Sequence, residues 1–216
     1  MAGTALFGGS FNPVHYGHLL LADDVRERLR LDRILFVPAG VPPHKTPAHL
    51  APAADRYQMV KLATAAHAGF AVSDLELRRP GPSYTVDTLE ALHLPRETLF
   101  LLVGSETFLD FLSWRAPRRI AALARIVVIP RASSAFDPES AAALKVLREI
   151  GEDRFAVVQG GEVPERGVLI VHAVSLPISA SDLRRRVREG RSIAFRLPDA
   201  VIAHIRSAGL YRSAAP

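Results

Sequence analysis

Short apolar runs rich in β-branched and aromatic residues recur along the chain, at Thr4 to Phe7, Arg33 to Val37, Phe70 to Val72, Leu99 to Val103, Arg125 to Ile129 and Val168 to His172. Within them apolar residues follow one another instead of alternating with polar ones, the pattern of strands covered on both faces. Between most of these runs apolar residues return at helical spacing: Leu21, Val25 and Leu29; Met59, Val60 and Ala63; Ala143, Leu144 and Leu147. The alternation predicts an α/β fold built on a doubly wound parallel sheet. From Ser179 to Ala208 the pattern reads as two or three consecutive helices with a break at Leu197 and Pro198, so a C-terminal helical segment is expected over about residues 179–212. No repeat, linker or low-complexity stretch divides the chain, and residues 1–216 are expected to form a single domain.

Composition narrows the classes. An apolar fraction of 49% over 216 residues is enough for a core without staples, and the absence of cysteine excludes disulfides and thiolate metal sites. There is no apolar run long enough to span a membrane and no leader-like start, so a cytoplasmic location is expected. The net charge is +5, yet basic residues are scattered apart from Arg184, Arg185 and Arg186, and no aromatic residues interleave with them. A solvated, arginine-rich surface accounts for this, and neither nucleic acid nor membrane is expected as a partner. Oligomeric state is left open, a homo-oligomer included.

Two proline-rich loops, residues 38–52 and Arg79 to Ser83, follow or flank strand ends, where open α/β sheets bind ligands. The first loop is the most informative. After the first strand come Gly8, Gly9, Ser10, Phe11, Asn12, Pro13, Val14, His15, Tyr16, Gly17 and His18, then the first long helix. Adjacent glycines let backbone approach a ligand, and the helix start near Gly17 aims free N–H groups and a positive dipole end at the same place. An anion is expected there. The spacing matches neither G-x-G-x-x-G nor the P-loop. His15 and His18, three apart, share a face if the helix has begun, and a neighbouring polyphosphate would favour their charged form. A structural pair is the plain alternative, and zinc lacks a third ligand nearby.

The string His15, Tyr16, Gly17, His18 resembles the His-x-Gly-His signature of a nucleotidyltransferase superfamily. Gly8 to His18 as a whole is similar to the opening motif of the bacterial nicotinate-nucleotide adenylyltransferases. Four later stretches resemble that family in order: Pro42, Pro43, His44, Lys45; Gly81 to Leu89; Gly104, Ser105, Glu106 followed by Trp114; and Ile178 to Arg184. The resemblance implies a Rossmann-like sheet and transfer of an adenylyl group from ATP to nicotinate mononucleotide, with Mg²⁺ accompanying ATP. It implies His15, His18, Lys45 and Arg184 as catalytic residues. Gly8, Gly9, Ser10, Phe11, His44, Gly104, Glu106, Ile178 and Ser179 are implied for ATP and its phosphates, and Ser83, Tyr84, Thr85 and Trp114 for the mononucleotide. No dedicated protein cage for the metal is expected, because no carboxylate cluster is evident.

The residue types suit that chemistry. In-line displacement at phosphorus needs positioning and charge compensation, which imidazole, ammonium, guanidinium and N–H donors provide. Arg184 lies beyond Ser179 or Ser181, either of which can cap a helix, and offers a planar fork to phosphate. Trp114 is a flat surface for a pyridine ring, and a helix starting at about Thr85 suits a carboxylate. Asn12 stands where many relatives have Asp, Glu106 where Asp is more usual, and Ala180 with Ser181 where Ser and Thr are common; none of these removes a cation. A sibling transferase acting on phosphopantetheine and a noncatalytic nucleotide or nucleic-acid binding protein are the competing readings.

Overall fold

A computed structural model describes residues 3–43, 50–130, 136–159 and 162–212. Among these the strands are β1 (Thr4–Gly9), β2 (Arg33–Pro38), β3 (Phe70–Val72), β4 (Leu99–Gly104), β5 (Arg125–Ile129), β6 (Phe155–Val157) and β7 (Val168–Ile170). The helices are α1 (Tyr16–Arg28), α2 (Ala53–Thr64), α3 (Leu75–Arg78), α4 (Thr85–Leu92), α5 (Ser105–Leu109), α6 (Pro117–Leu123), α7 (Ala141–Glu149), α8 (Ala180–Arg188) and α9 (Asp199–Ser207). All strands pair in parallel in the order β3-β2-β1-β4-β5-β7-β6. The direction of winding reverses between β1 and β4, which opens a crevice beyond their carboxyl ends.

Both faces of the sheet are covered, and the strands divide their side chains between them with period two. Ala5, Ile34, Phe36, Phe100, Leu102, Val127 and Leu169 face one core, which α1, α2 and α9 close with Val25, Met59, Val60, Val201 and Ile205. Leu6, Val37, Leu99, Leu101, Val103, Ile126 and Val128 face the other, closed from α4 to α7 by Leu89, Phe108, Ile120 and Leu147. This two-sided burial is why the strands carry continuous apolar runs. No helix among the described residues is long and apolar enough to cross a membrane.

The structure departs from expectation in three places. The strand expected to reach His172 ends at Ile170, and β6 had no counterpart in the predicted set. β6 has the same Phe-Ala-Val sequence as β3 but lies at the opposite edge of the sheet, with Val157 exposed. Leu144 is 37% exposed instead of lying on the buried stripe of α7. Ser140 caps that helix by accepting the Ala143 N–H at 3.3 Å, and the buried stripe becomes Ala143, Val146, Leu147 and Ile150.

One buried charge joins the loops at the crevice. Arg56, 1% exposed, donates from Nε to the Ala51 carbonyl at 3.0 Å, from Nη1 to Ser10 at 2.9 Å and from Nη2 to Gly40 at 3.1 Å. Desolvation lowers its pKa, offset in part by Tyr211 and Glu76. The loop after β1, the loop after β2 and the approach to α2 therefore share one guanidinium. Arg56→Met keeps the volume but strands three carbonyls. Urea unfolding should show a loss of about 3 kcal/mol, the scale of buried polar groups left unpaired. A loss near zero would mean that water replaces the guanidinium and that the loops are held by other contacts.

Candidate functional site

The loop after β1 is held in one unusual shape. Phe11 adopts a left-handed backbone (φ 44°) and Asn12–Pro13 is a cis peptide. The Phe11 ring is 3% exposed and meets Phe7, Phe36 and His18 at centroid distances of 5.5, 5.7 and 5.2 Å. Its side chain thus belongs to the core, where it supports His18, and only its backbone faces the loop. Gly8 has an ordinary backbone conformation, and a Cβ there would touch only Leu6, at 3.5 Å. Nothing among the described residues demands glycine at 8, so the missing side chain leaves open room at the strand end.

His15 is the N-cap of α1 in extended backbone, and its N–H donates to His18 Nδ1 at 3.3 Å. The two imidazoles stack, with centroids 3.7 Å apart and an interplanar angle of 25°. A side chain at Gly17 would press on the His15 ring, at 3.0 Å from Nδ1, which explains the glycine between the two histidines. His15 is 6% exposed, its Nδ1 is buried without a hydrogen-bond partner among the described residues, and burial lowers its pKa to about 4. Burial therefore keeps His15 neutral at pH 7, against the charged form that a neighbouring polyphosphate would favour.

Arg184 reaches the same loop from the far end of the sequence. α8 is capped by Ser179, whose hydroxyl accepts the Asp182 N–H at 3.4 Å and contacts the Ser181 hydroxyl at 2.6 Å. Arg184 Nη1 donates to the Asn12 carbonyl at 2.8 Å, whereas Arg185 and Arg186 both pair with Asp182. Of the three consecutive arginines, Arg184 is thus drawn to the crevice. The Asn12 side chain is itself fixed, its Oδ1 accepting the Ala51 N–H at 3.0 Å and the Tyr211 hydroxyl at 2.9 Å. Ile178 is half-buried against the first core, immediately before the cap.

The rest of the crevice is a cavity of about 460 Å³ lined by Pro43, Ser83, Tyr84, Thr85, Glu106, Trp114 and Arg115 among others. Thr85 is the first residue of α4 and Tyr84 its N-cap. The Trp114 ring is braced by Phe111 at 4.9 Å and remains part-exposed to the cavity. Arg115 lies 4.9 Å over the Tyr84 ring and 3.7 Å from Asp87. Gly104 caps α5, and a Cβ there would meet nothing nearer than Thr107 Oγ1 at 3.9 Å. Glu106, in the first turn of α5, is exposed toward the cavity. His44 and Lys45 lie outside the described residues.

Ser83 has work inside the protein. It is 8% exposed, and its Oγ accepts the N–H groups of Gly40 and Val41 at 3.0 and 3.2 Å while bonding the Glu76 carboxyl. Glu76 is also buried, and desolvation raises its pKa against the hydrogen bonds from Thr88 and Ser83 and the charges of Arg79 and Arg56. A Cβ at Gly40 would collide with the Glu76 carbonyl, so glycine is obligatory where that loop crosses α3. Arg56, Glu76 and Arg115 were not singled out from the sequence. Arg115 carried the one available signal, its position next to Trp114.

Residues 6–186 match the cytidylyltransferase-like family. A probable nicotinate-nucleotide adenylyltransferase of Roseiflexus sp. is 43% identical over 212 residues, covering 98% of this chain and 98% of its own. One from Thermus thermophilus is 44% identical over 209 residues, covering 96% of this chain and 98% of its own. Among solved structures, Plasmodium falciparum nicotinic acid mononucleotide adenylyltransferase complexed with NaAD superposes with a TM-score of 0.69 at 19% identity, covering 98% of each chain, a likeness of fold. Taken with the full-length identities, the stacked histidine pair at the start of α1 and the sheet that carries it leave a plain conclusion: the chain belongs to the nicotinate-nucleotide adenylyltransferase family, within the cytidylyltransferase-like proteins.

Proposed function

We propose that the chain transfers the adenylyl group of ATP to the phosphate of nicotinate mononucleotide, giving nicotinate adenine dinucleotide and pyrophosphate, the activity that its relatives' name describes. The observation that carries this reading is the convergence of stacked His15 and His18 with Arg184 on the single loop between β1 and α1. A phosphate oxygen of the mononucleotide forms the new bond to the α-phosphorus. The bond from that phosphorus to the bridging oxygen breaks, and its electron pair leaves on pyrophosphate. No protein group becomes covalently attached, so the protein's part is alignment and charge compensation.

In this reading the α1 N-terminus and His18 neutralise charge growing on the transferred group, and Arg184 holds the leaving phosphates with its free guanidinium edge. His15, neutral before ATP arrives, takes up a proton as phosphate oxygens approach, since an adjacent anion favours imidazolium. His44 and Lys45 would add to the phosphate side of the same site. Mg²⁺ would arrive on the ATP phosphates, held by their oxygens and water, and supply further charge compensation. The pyridine stacks on Trp114, and its carboxylate meets the first-turn N–H groups of α4. Tyr84, Thr85 and Glu106 border that space, with Ser83 acting through the loop it holds.

Pyrophosphate release from ATP should be rapid with nicotinate mononucleotide, slower with the amide mononucleotide and absent with phosphopantetheine. Turnover with phosphopantetheine alone would assign the chain to a sibling reaction, and none with any acceptor would make it a binding protein. His18→Ala should lower kcat by about two to three orders of magnitude at unchanged stability, the usual effect of losing one charge-stabilising donor. Trp114→Ala should raise KM for the mononucleotide and leave KM for ATP; equal values would return Trp114 to a packing role.

The unfolded chain protonates His15 near its ordinary 6.5, the folded chain only near 4. Below about 6.5 the unfolded state binds more protons, so stability is whole above that pH and falls toward 4. Relative to His15→Asn, the wild-type protein should lose on the order of 2 kcal/mol more between pH 7 and pH 4.5 in urea titrations. Parallel stability curves would show His15 to be solvated.

A further inference from the structure

The edge of the sheet opposite the transfer site carries a second hollow. Gly3 precedes β1, Phe100 is near the start of β4 and Arg125 opens β5, and together with Leu31, Val163 and Arg166 they border a cavity of about 470 Å³. Its size matches the 460 Å³ of the transfer crevice. The floor is apolar, with Leu29, Leu31 and Phe100 all nearly fully buried. The wall is cationic. Arg125 is 8% exposed, its guanidinium lies 5.1 Å over the Phe100 ring, and one amino group donates to the Pro164 carbonyl.

Burying a guanidinium costs free energy unless something compensates it. Here desolvation, with repulsion from Arg96, lowers the pKa of Arg125. Arg96 is already engaged, with Glu152 at 2.6 Å and the Ala121 carbonyl at 2.9 Å. Arg30 and Arg166 also line the hollow, together with the carboxylates of Glu97 and Glu165. Arg166 also faces Asp153, and Glu152 and Glu165 act on Arg125 through space, but among the described residues Arg125, the buried guanidinium of the set, forms an ion pair with none of these carboxylates and donates to the Pro164 carbonyl instead.

We infer that this hollow is a second ligand site, built for a small amphipathic anion. A flat or aliphatic body lies on Leu31, Phe100 and Val163, and a single carboxylate, sulfonate or phosphate meets Arg125 and Arg166. The geometry selects against polyphosphates, whose extra charge would meet Glu97 and Glu165, and against neutral apolar molecules, which leave the arginines uncompensated. The site is independent of the adenylyl-transfer reading, since it lies at the amino ends of the strands and shares no residue with the crevice.

Fluorescence titration of the full-length protein with anilinonaphthalene sulfonate, an aromatic body with one anionic group, tests this directly. A saturable component of one probe per chain is expected, retained when ATP or nicotinate mononucleotide is added separately and retained in Trp114→Ala. Val163→Trp, which fills the hollow, and Arg166→Glu, which reverses an exposed wall charge, should each weaken it by about tenfold or more. Because Arg166 is on the surface, Arg166→Glu should melt and release pyrophosphate as the wild type does, which separates lost binding from misfolding. An unsaturable signal, displacement by either substrate, or wild-type affinity in Arg166→Glu would overturn the assignment.

Discussion

A loop that receives phosphate must dispose of its own carbonyl oxygens, because each one turned toward the ligand repels it. In this chain, where we propose that the loop after β1 receives phosphate, the task falls to arginine. The Ser10 carbonyl is taken by Arg56 and the Asn12 carbonyl by Arg184, so two carbonyls of the loop after β1 meet guanidinium groups. Each bond satisfies a buried acceptor and at the same time leaves a positive charge next to the loop. Arg56 also binds the Gly40 and Ala51 carbonyls, so the geometry of the first loop and that of the wall after β2 are set by one side chain. The remaining features of the crevice depend on that fixation.

Electrostatically, the crevice keeps its positive potential in fixed groups and leaves His15 uncharged. Two imidazolium rings stacked at 3.7 Å would repel one another, and burial resolves this by keeping His15 neutral. The helix N-terminus and Arg184 carry the standing charge, while buried His15 adds none at neutral pH. Arg185 and Arg186 both turn to Asp182, so the basic triplet delivers one guanidinium to the loop.

Much of this could be read from residues alone, for a physical reason in each case. Strands covered on both faces need continuous apolar runs, which made β1, β2, β4 and β5 plain, and the start of α4 at Thr85 follows from Pro82 just before it. The loop from Gly8 to His18 was legible because its glycines and histidines have no other ready purpose. What escaped notice depends on contacts between distant positions. Arg56 reads as one more charge on an amphipathic helix until Ser10, Gly40 and Ala51 surround it, and Ser83 looks like a ligand contact until Gly40 and Val41 occupy its hydroxyl. Phe11 looks like part of a binding string, yet its left-handed backbone turns the ring into the core. Leu144 lies off the buried stripe because periodicity gives a stripe only up to rotation, and packing of Val146, Leu147 and Ile150 on the second core sets the phase.

The wall between the two halves of the crevice shows how specificity for an acceptor can be built from buried polar groups. Ser83 bonds Glu76 and the backbone at Gly40 and Val41, Thr88 of α4 bonds Glu76 at 2.6 Å, and Arg79 bonds Thr88 at 3.1 Å. The chain of bonds ties the loop after β2 to the helix whose first turn borders the cavity. Because Gly40 allows no side chain beside Glu76, the two elements meet at one fixed separation. A helix N-terminus favours an anion only where the anion can reach it, so fixing that separation also fixes how far a bound carboxylate sits from α4. In the proposed reaction, discrimination between the acid and its amide would rest on that distance more than on any one donor, and buried groups away from the substrate would set it.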